Sequence, residues 1–201
     1  MKQAINIVAS MMMMLMLLSC NHSRKFTQTY YCENEKTINS IRTRFAALYD
    51  LHPFSLELKD KYLRRIGLEI ITDSIRYIYS FNLNEPFLLD TLSKYKFNVN
   101  SMRDLIVDMQ QAHCTWITNL DYYENRSKKE LIFLSVRHQA LERFLKPEKY
   151  FTLAFFNEAQ PIDEKQRLLD SEIINQLRKI NGSIYRSLSP TIFYAVSDSY
   201  R

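Results

Sequence analysis

The chain is 201 residues long, with 27 basic and 22 acidic residues and a formal net charge of +5. The basic residues are spread along the chain, whereas a nucleic-acid binder usually concentrates them on one face, so we expect no nucleic-acid partner. Glycine occurs only at Gly67 and Gly182, far below an average usage of about 7%. Phosphate-binding loops need closely spaced glycines, so the sequence excludes Walker-type and dinucleotide-binding motifs.

The first twenty residues form a short apolar segment that ends in a cysteine. Lys2 is followed by an apolar run over residues 7–18, which only Ser10 interrupts, and then by Ser19 and Cys20. A membrane-spanning helix needs about 20 apolar residues, so this run is too short to cross a bilayer. It is typical of a signal-peptide core. An ordinary secretory signal and a buried N-terminal helix are the alternatives.

The end of this segment, Leu17-Leu18-Ser19-Cys20, resembles the lipobox of a bacterial lipoprotein signal peptide. It has an aliphatic residue three positions before the cysteine and a small residue directly before it. The resemblance implies removal of residues 1–19 and attachment of acyl chains to Cys20. Asn21 stands where an aspartate would resemble an inner-membrane retention signal, which favours an outer-membrane anchor with the domain facing the periplasm.

The rest of the chain is predicted to consist of a polar tether and one domain. Residues 20–31 comprise the lipidated Cys20 and the tether, and residues 32–201 are enough for a single domain with a full core. Cys32 and Cys114 remain after lipidation. In an oxidising compartment they would form a disulfide; the alternative is two free thiols buried as small hydrophobes.

The first half of the domain shows one helical and three strand patterns before two further helices. An apolar stripe at helical spacing predicts an amphipathic helix over residues 33–50. Alternating apolar and polar residues predict strands at 54–58, 66–70 and 75–83, the last two joined by a hairpin at residues 72–74.

The two further helices are predicted from their N-terminal residues. Asn84 is a candidate cap for a helix that runs to Tyr95 and has Pro86 in its first turn. The sequence from Ser101 to Asp104 resembles a capping box, which predicts that another helix begins there.

The second half begins with two β-rich runs, residues 114–122 and 130–138, on either side of a polar turn centred on Arg126. With this centre, Trp116 faces Val136 in the predicted hairpin. A further strand at 149–156, a helix from Pro161 to Ile180 and a closing strand at 190–196 follow. These elements predict an α+β fold: a mostly antiparallel sheet with three to four helices packed on one face.

The hairpin register also places Cys114 opposite His138. A thiol beside an imidazole is the arrangement that activates a cysteine nucleophile; core packing of both side chains is the alternative. No third catalytic residue can be placed, so we assign no catalytic residue. The four histidines lack ligand spacing, so we expect no metal and no cofactor.

These observations predict a non-catalytic envelope lipoprotein. Its domain would bind another protein, as an assembly accessory or as an immunity-type protein that protects the periplasm from a toxin. The alternatives are a lipid-anchored hydrolase and a small-ligand or lipid carrier with an aromatic-lined cavity.

Overall fold

The computed structural model describes residues 28–72, 74–124, 127–137, 150–169, 173, 177 and 184–197. The chain divides into two compact units, Met1–Glu35 and Lys36–Arg201. In the first unit, residues 28–35 are helical. The helical residues therefore include 28–31, which the sequence had assigned to the tether.

The second unit begins with helix α1, residues 36–49. The other elements that the structure describes in full are, in chain order, β1 (Phe54–Leu58), β2 (Arg65–Ile71), β3 (Arg76–Asn82), α2 (Pro86–Lys94), α3 (Val99–Gln111), β4 (Cys114–Glu124), β5 (Ser127–Arg137), β6 (Tyr150–Phe156), β7 (Arg186–Ser189) and β8 (Ile192–Ser197).

The eight strands form one sheet in the order β3-β2-β1-β4-β5-β6-β8-β7. Every neighbouring pair is antiparallel. The predicted α+β class and antiparallel sheet are therefore confirmed. β3 and β7 are the two edge strands.

Helix α1 covers one face of the sheet together with the segment that precedes α3. The Phe45 ring of α1 lies 4.9 Å from the Phe54 ring of β1, and Phe54 lies 5.3 Å from Phe97. Arg44 Nη1 forms an ion pair of 2.8 Å with Asp104 of α3. Since alternate residues of a strand share a face, Leu56 and Leu58 face the same helices as Phe54.

The other face of the sheet carries a second apolar cluster. Trp116, Phe133 and Phe193 lie there with Ile173 and Leu177, which are buried residues in helical conformation. The register of β4, β5 and β6 places this cluster opposite to the face that contains Ile117 and Leu134. The predicted packing of all helices on one face is not confirmed.

The predicted register of the β4–β5 hairpin is wrong by one residue. Trp116 pairs with Ser135, and a β-bulge between Cys114 and Trp116 lets Cys114 pair with Val136. The pairs from Glu124–Ser127 to Trp116–Ser135 share one register, so the hairpin is centred between Glu124 and Ser127 and not on Arg126. A shift of one residue turns every side chain to the other face. Trp116 therefore lies on the face opposite to Val136, where its Nε1 donates a hydrogen bond of 2.8 Å to Ser55 Oγ.

The predicted start of the long helix is also wrong. Ile162 and Leu168 form an isolated antiparallel bridge, so the segment between them is a turn. The Asp163 carboxylate accepts hydrogen bonds from the backbone N–H groups of Lys165 and Arg167, at 2.9 and 2.7 Å. An aspartate whose side chain bonds nearby backbone donors stabilises a turn. Ile180, the predicted end of this helix, lies outside the described residues.

The two shorter helices exist as predicted, but they begin at other residues. Glu85 precedes the first turn of α2 and makes no side-chain capping bond. Asn98 caps α3, because its Oδ1 accepts a hydrogen bond of 3.0 Å from the Ser101 backbone N–H. The resemblance to a capping box therefore placed the start of α3 three residues too late.

Candidate protein-binding surface

Of the predicted site residues, the structure describes Cys32 and Cys114. Cys20 and His138 both lie outside the described residues. Cys32, in the first unit, is an exposed free thiol, and Cys114, in the second, is a buried one. A disulfide between Cys32 and Cys114 stays a prediction.

Cys114 has the environment of a core residue. It is fully buried, and burial raises the pKa of its thiol because a buried thiolate loses its hydration. Its Sγ donates to the Ala112 carbonyl oxygen at 3.9 Å. The pairing of Cys114 with Val136 removes the register on which the thiol–imidazole hypothesis depended, and a thiol that stays protonated is a poor nucleophile.

The described ranges contain neither a metal-binding cluster nor a membrane-spanning helix. Among those residues, no group of three or more His, Cys, Asp or Glu side chains is arranged to hold a metal ion. Within the same ranges, no helix combines the length and the apolar character needed to cross a membrane.

Within the described residues, the outer edge of β3 has no neighbouring strand, and the strand carries exposed apolar side chains. Ile78 is 69% exposed, and Ile75 and Tyr77 are exposed as well. Arg76 is the only charged residue of the strand, and its Nη1 is 3.2 Å from Glu69 Oε1. A seven-residue edge with one charged side chain and no proline has little of the protection that monomers normally give an edge strand, so it can pair with another strand.

The opposite edge of the sheet is protected in the ways that natural proteins use. β7 has four residues, its register shifts between Ser187 and Ser189, and Arg167 forms a bridge with Arg186 on it. A short, irregular and covered edge does not accept a further strand. In the described part of the sheet, β3 is therefore the edge strand that can accept a partner.

A groove between α2 and α3 lies next to β3 along the chain. It has a volume of about 380 Å³, within the range of ligand-sized clefts. Its lining is largely aliphatic and consists of Leu83, Asn84, Glu85, Pro86, Leu88, Leu89, Arg103, Ile106 and Val107.

Two aliphatic side chains of the groove face solvent. Leu88 and Ile106 are buried beneath it, but Leu89 is 41% exposed and Val107 is 47% exposed. Covering such side chains would remove apolar area from water, which stabilises a complex by roughly 25 cal/mol per Å². Nothing in the described part of the chain fills the groove, so this stabilisation would come from a bound molecule.

The groove carries one positive and one negative side chain. The Glu85 carboxylate is engaged, since its Oε2 accepts a hydrogen bond of 2.8 Å from the Asn82 backbone N–H. Arg103 is exposed, and no carboxylate of the described residues forms an ion pair with it. The groove therefore offers an available guanidinium beside its aliphatic lining.

The sequence contains a signal for the open edge of β3 and another for the groove. Tyr77-Ile78-Tyr79 places large apolar side chains on both faces of one strand, a pattern that suits either a central strand or an edge with a partner. Val107 lies outside the apolar stripe of α3 that includes Leu105 and Ile106. An aliphatic residue outside a buried stripe is a signal for a surface contact.

No family model matches the chain, and neither a curated protein nor a solved structure matches it.

Proposed function

We propose that the protein is a membrane-anchored bacterial lipoprotein that binds another protein, as an assembly accessory or an immunity-type protein. Cys20 carries the lipid in this proposal, and the domain faces the periplasm from the outer membrane. The observation that supports protein binding is the groove between α2 and α3. It is open and aliphatic, and it has an available cation.

The shape of the groove favours an apolar side chain as the anchor of the partner. Binding energy in protein complexes is concentrated in a few side chains that fill pockets and exclude water. Leu89 of α2 and Val107 of α3 both line the groove and are both partly exposed. A single aliphatic or aromatic side chain placed between them would cover both.

The charge of the groove favours a carboxylate close to that anchor. A guanidinium binds a carboxylate through two parallel hydrogen bonds, which fixes the orientation of the partner as well as adding energy. Arg103 meets this requirement because no carboxylate among the described residues pairs with it. The proposed partner segment therefore combines an apolar side chain with a neighbouring Asp or Glu.

Site-specific photo-cross-linking in the native host tests this proposal. A benzophenone side chain at Val107 of the full chain is expected to give one adduct of defined mass. Arg103→Glu should abolish the adduct, and Arg103→Lys should retain a reduced yield because the charge remains. The matched control is Leu169, which is 54% exposed and does not line the groove. Equal adducts at both positions, or an adduct indifferent to Arg103→Glu, would contradict the proposal.

A small-ligand or lipid carrier is the second candidate, since an aliphatic groove with a cation also suits a fatty acid. The same adduct separates the two. A long-chain fatty acid that bound saturably and blocked cross-linking at Val107 would favour the carrier. Protein binding predicts that the acid leaves the adduct unchanged.

A further inference from the structure

The hydrogen-bond pattern of β3 determines which of its backbone groups face outwards. The β2–β3 ladder extends beyond both strand ends. At one end the Thr72 N–H donates a hydrogen bond of 3.0 Å to the Ile75 carbonyl oxygen, and at the other the Leu83 N–H donates one of 2.8 Å to the Arg64 carbonyl oxygen. Bonded residues alternate along an antiparallel ladder. The odd-numbered residues of β3 therefore bond to β2, and the even-numbered residues direct their N–H and C=O groups away from it.

The even-numbered residues of β3 are Arg76, Ile78, Ser80 and Asn82. Asn82 is already engaged, because its N–H donates to Glu85 Oε2 at 2.8 Å and its carbonyl oxygen accepts from the Glu85 N–H at 2.9 Å. Among the described residues, no backbone group pairs with the outer edge at the other three. The open edge is therefore centred on Ile78.

We propose that this edge pairs with β3 of a second copy of the chain, antiparallel, with the two-fold axis at Ile78. In this register Arg76 is opposite Ser80 of the partner subunit, and Ile78 is opposite Ile78 of the partner subunit. All three open residues are then bonded on both strands. A register centred on Tyr79 would instead place Arg76 opposite Asn82 of the partner subunit, whose backbone groups are engaged.

The side chains are complementary in the same register. The exposed Ile78 is covered by its own counterpart, and Tyr77 lies opposite Tyr79 of the partner subunit, an aromatic pair of the kind that stabilises sheets. Arg76 meets a neutral serine, so no like charges are opposed. A two-fold interface must be self-complementary, and this strand meets that condition.

Cysteine cross-linking of the full chain in its membrane tests the register. In a Cys32→Ser background, Ile78→Cys is expected to form a disulfide-linked dimer. Directly opposite bonded residues have Cα atoms about 5.5 Å apart, which is within the disulfide range. Arg76→Cys and Ser80→Cys should each fail to link alone but should link when co-expressed. The matched control is Leu51→Cys, since Leu51 is 62% exposed and lies outside the edge.

The mass of the detergent-extracted chain gives a second readout. The chain should sediment as a dimer, and Ile78→Lys should halve the protein mass, since it opposes two like charges. Leu51→Lys should leave the dimer intact, and circular dichroism checks that both variants are folded. A monomeric wild-type chain, or equal linking at positions 51 and 78, would overturn the proposal. This proposal goes beyond the proposed function, because cross-linking from Val107 does not depend on the dimer.

Discussion

The scarcity of glycine has a consequence at individual residues, because other side chains occupy left-handed backbone positions. Leu63, Lys96, His113 and Gln166 all have positive φ, between 51 and 61°. This conformation brings Cβ close to the following carbonyl oxygen, which costs roughly 1–2 kcal/mol for a residue other than glycine. Each of these positions therefore stores a small amount of conformational strain.

Lys96 shows why one such residue is retained. It follows the last turn of α2, where its N–H donates to the Ser93 carbonyl oxygen at 3.0 Å and the Phe97 N–H donates to Leu92 at 2.9 Å. These two bonds form a Schellman motif, in which the position of Lys96 is normally a glycine. The motif satisfies the carbonyl groups at the helix end despite the unfavourable φ.

We expect Lys96→Gly to raise the free energy of unfolding by about 0.5–1 kcal/mol, since relief of the left-handed strain exceeds the added entropy of the unfolded chain. Lys94→Gly, inside the last turn of the same helix, is the matched control. It should lower the free energy of unfolding by about 1 kcal/mol, the cost of glycine inside a helix. Urea denaturation of both variants measures the difference. Equal destabilisation by the two would contradict this account of Lys96.

At the scale of elements, α2 is held against β3 by a pair of tyrosines. The hydroxyl groups of Tyr79 and Tyr95 share a hydrogen bond of 2.8 Å, and their rings lie 6.1 Å apart. The hydrogen bond with Tyr79, together with burial, raises the pKa of Tyr95 to about 12. Ionisation of Tyr95 therefore opposes the docking of the helix.

The stability of the protein should fall at alkaline pH for this reason. Below pH about 10, Tyr95 is protonated in both the folded and the unfolded chain, so it adds no pH dependence. Between pH about 10 and 12, the unfolded chain loses this proton while the folded chain retains it, so stability is lost progressively. Denaturation midpoints across this range measure the loss, and Tyr79→Phe should make the decline shallower. If stability fell equally steeply with pH in Tyr79→Phe, the hydrogen bond between Tyr79 and Tyr95 would not be the cause of the loss.

Elements with a sustained pattern could be predicted from the sequence, and those with an interrupted pattern could not. The alternation of β1, β2 and β3 and the stripe of α1 are local regularities, and the structure has strands and a helix there. The pairing of Glu124 with Ser127 leaves no mark in apolar periodicity, so a turn centred on Arg126 gave the wrong β4–β5 register. Asp163 forms a turn where a helix start was predicted, because aspartate caps helices and turns through the same bond.

For the whole molecule, the lipid anchor is the prediction with the widest consequences. We expect a palmitate analogue fed to the native host to label the full chain through Cys20, and Cys20→Ser to lose that label. Cys32→Ser is the matched control, because it removes an exposed thiol without changing the lipobox. Membrane fractionation should show Cys20→Ser in the soluble fraction. A label that persisted in Cys20→Ser would contradict the anchor.

The sequence by itself determined the fold class and the position of most elements, because apolar periodicity is a property of neighbouring residues and needs no partner. The resemblance of residues 17–20 to a lipobox is local in the same sense, and the anchor that it implies stays a prediction. Only the tertiary structure decided that β3 lies at an open edge, that α2 and α3 leave a groove between them, and that Cys114 is buried beside Val136. These facts depend on which distant segments pair, and a register one residue away satisfies the same local pattern while turning every side chain to the other face.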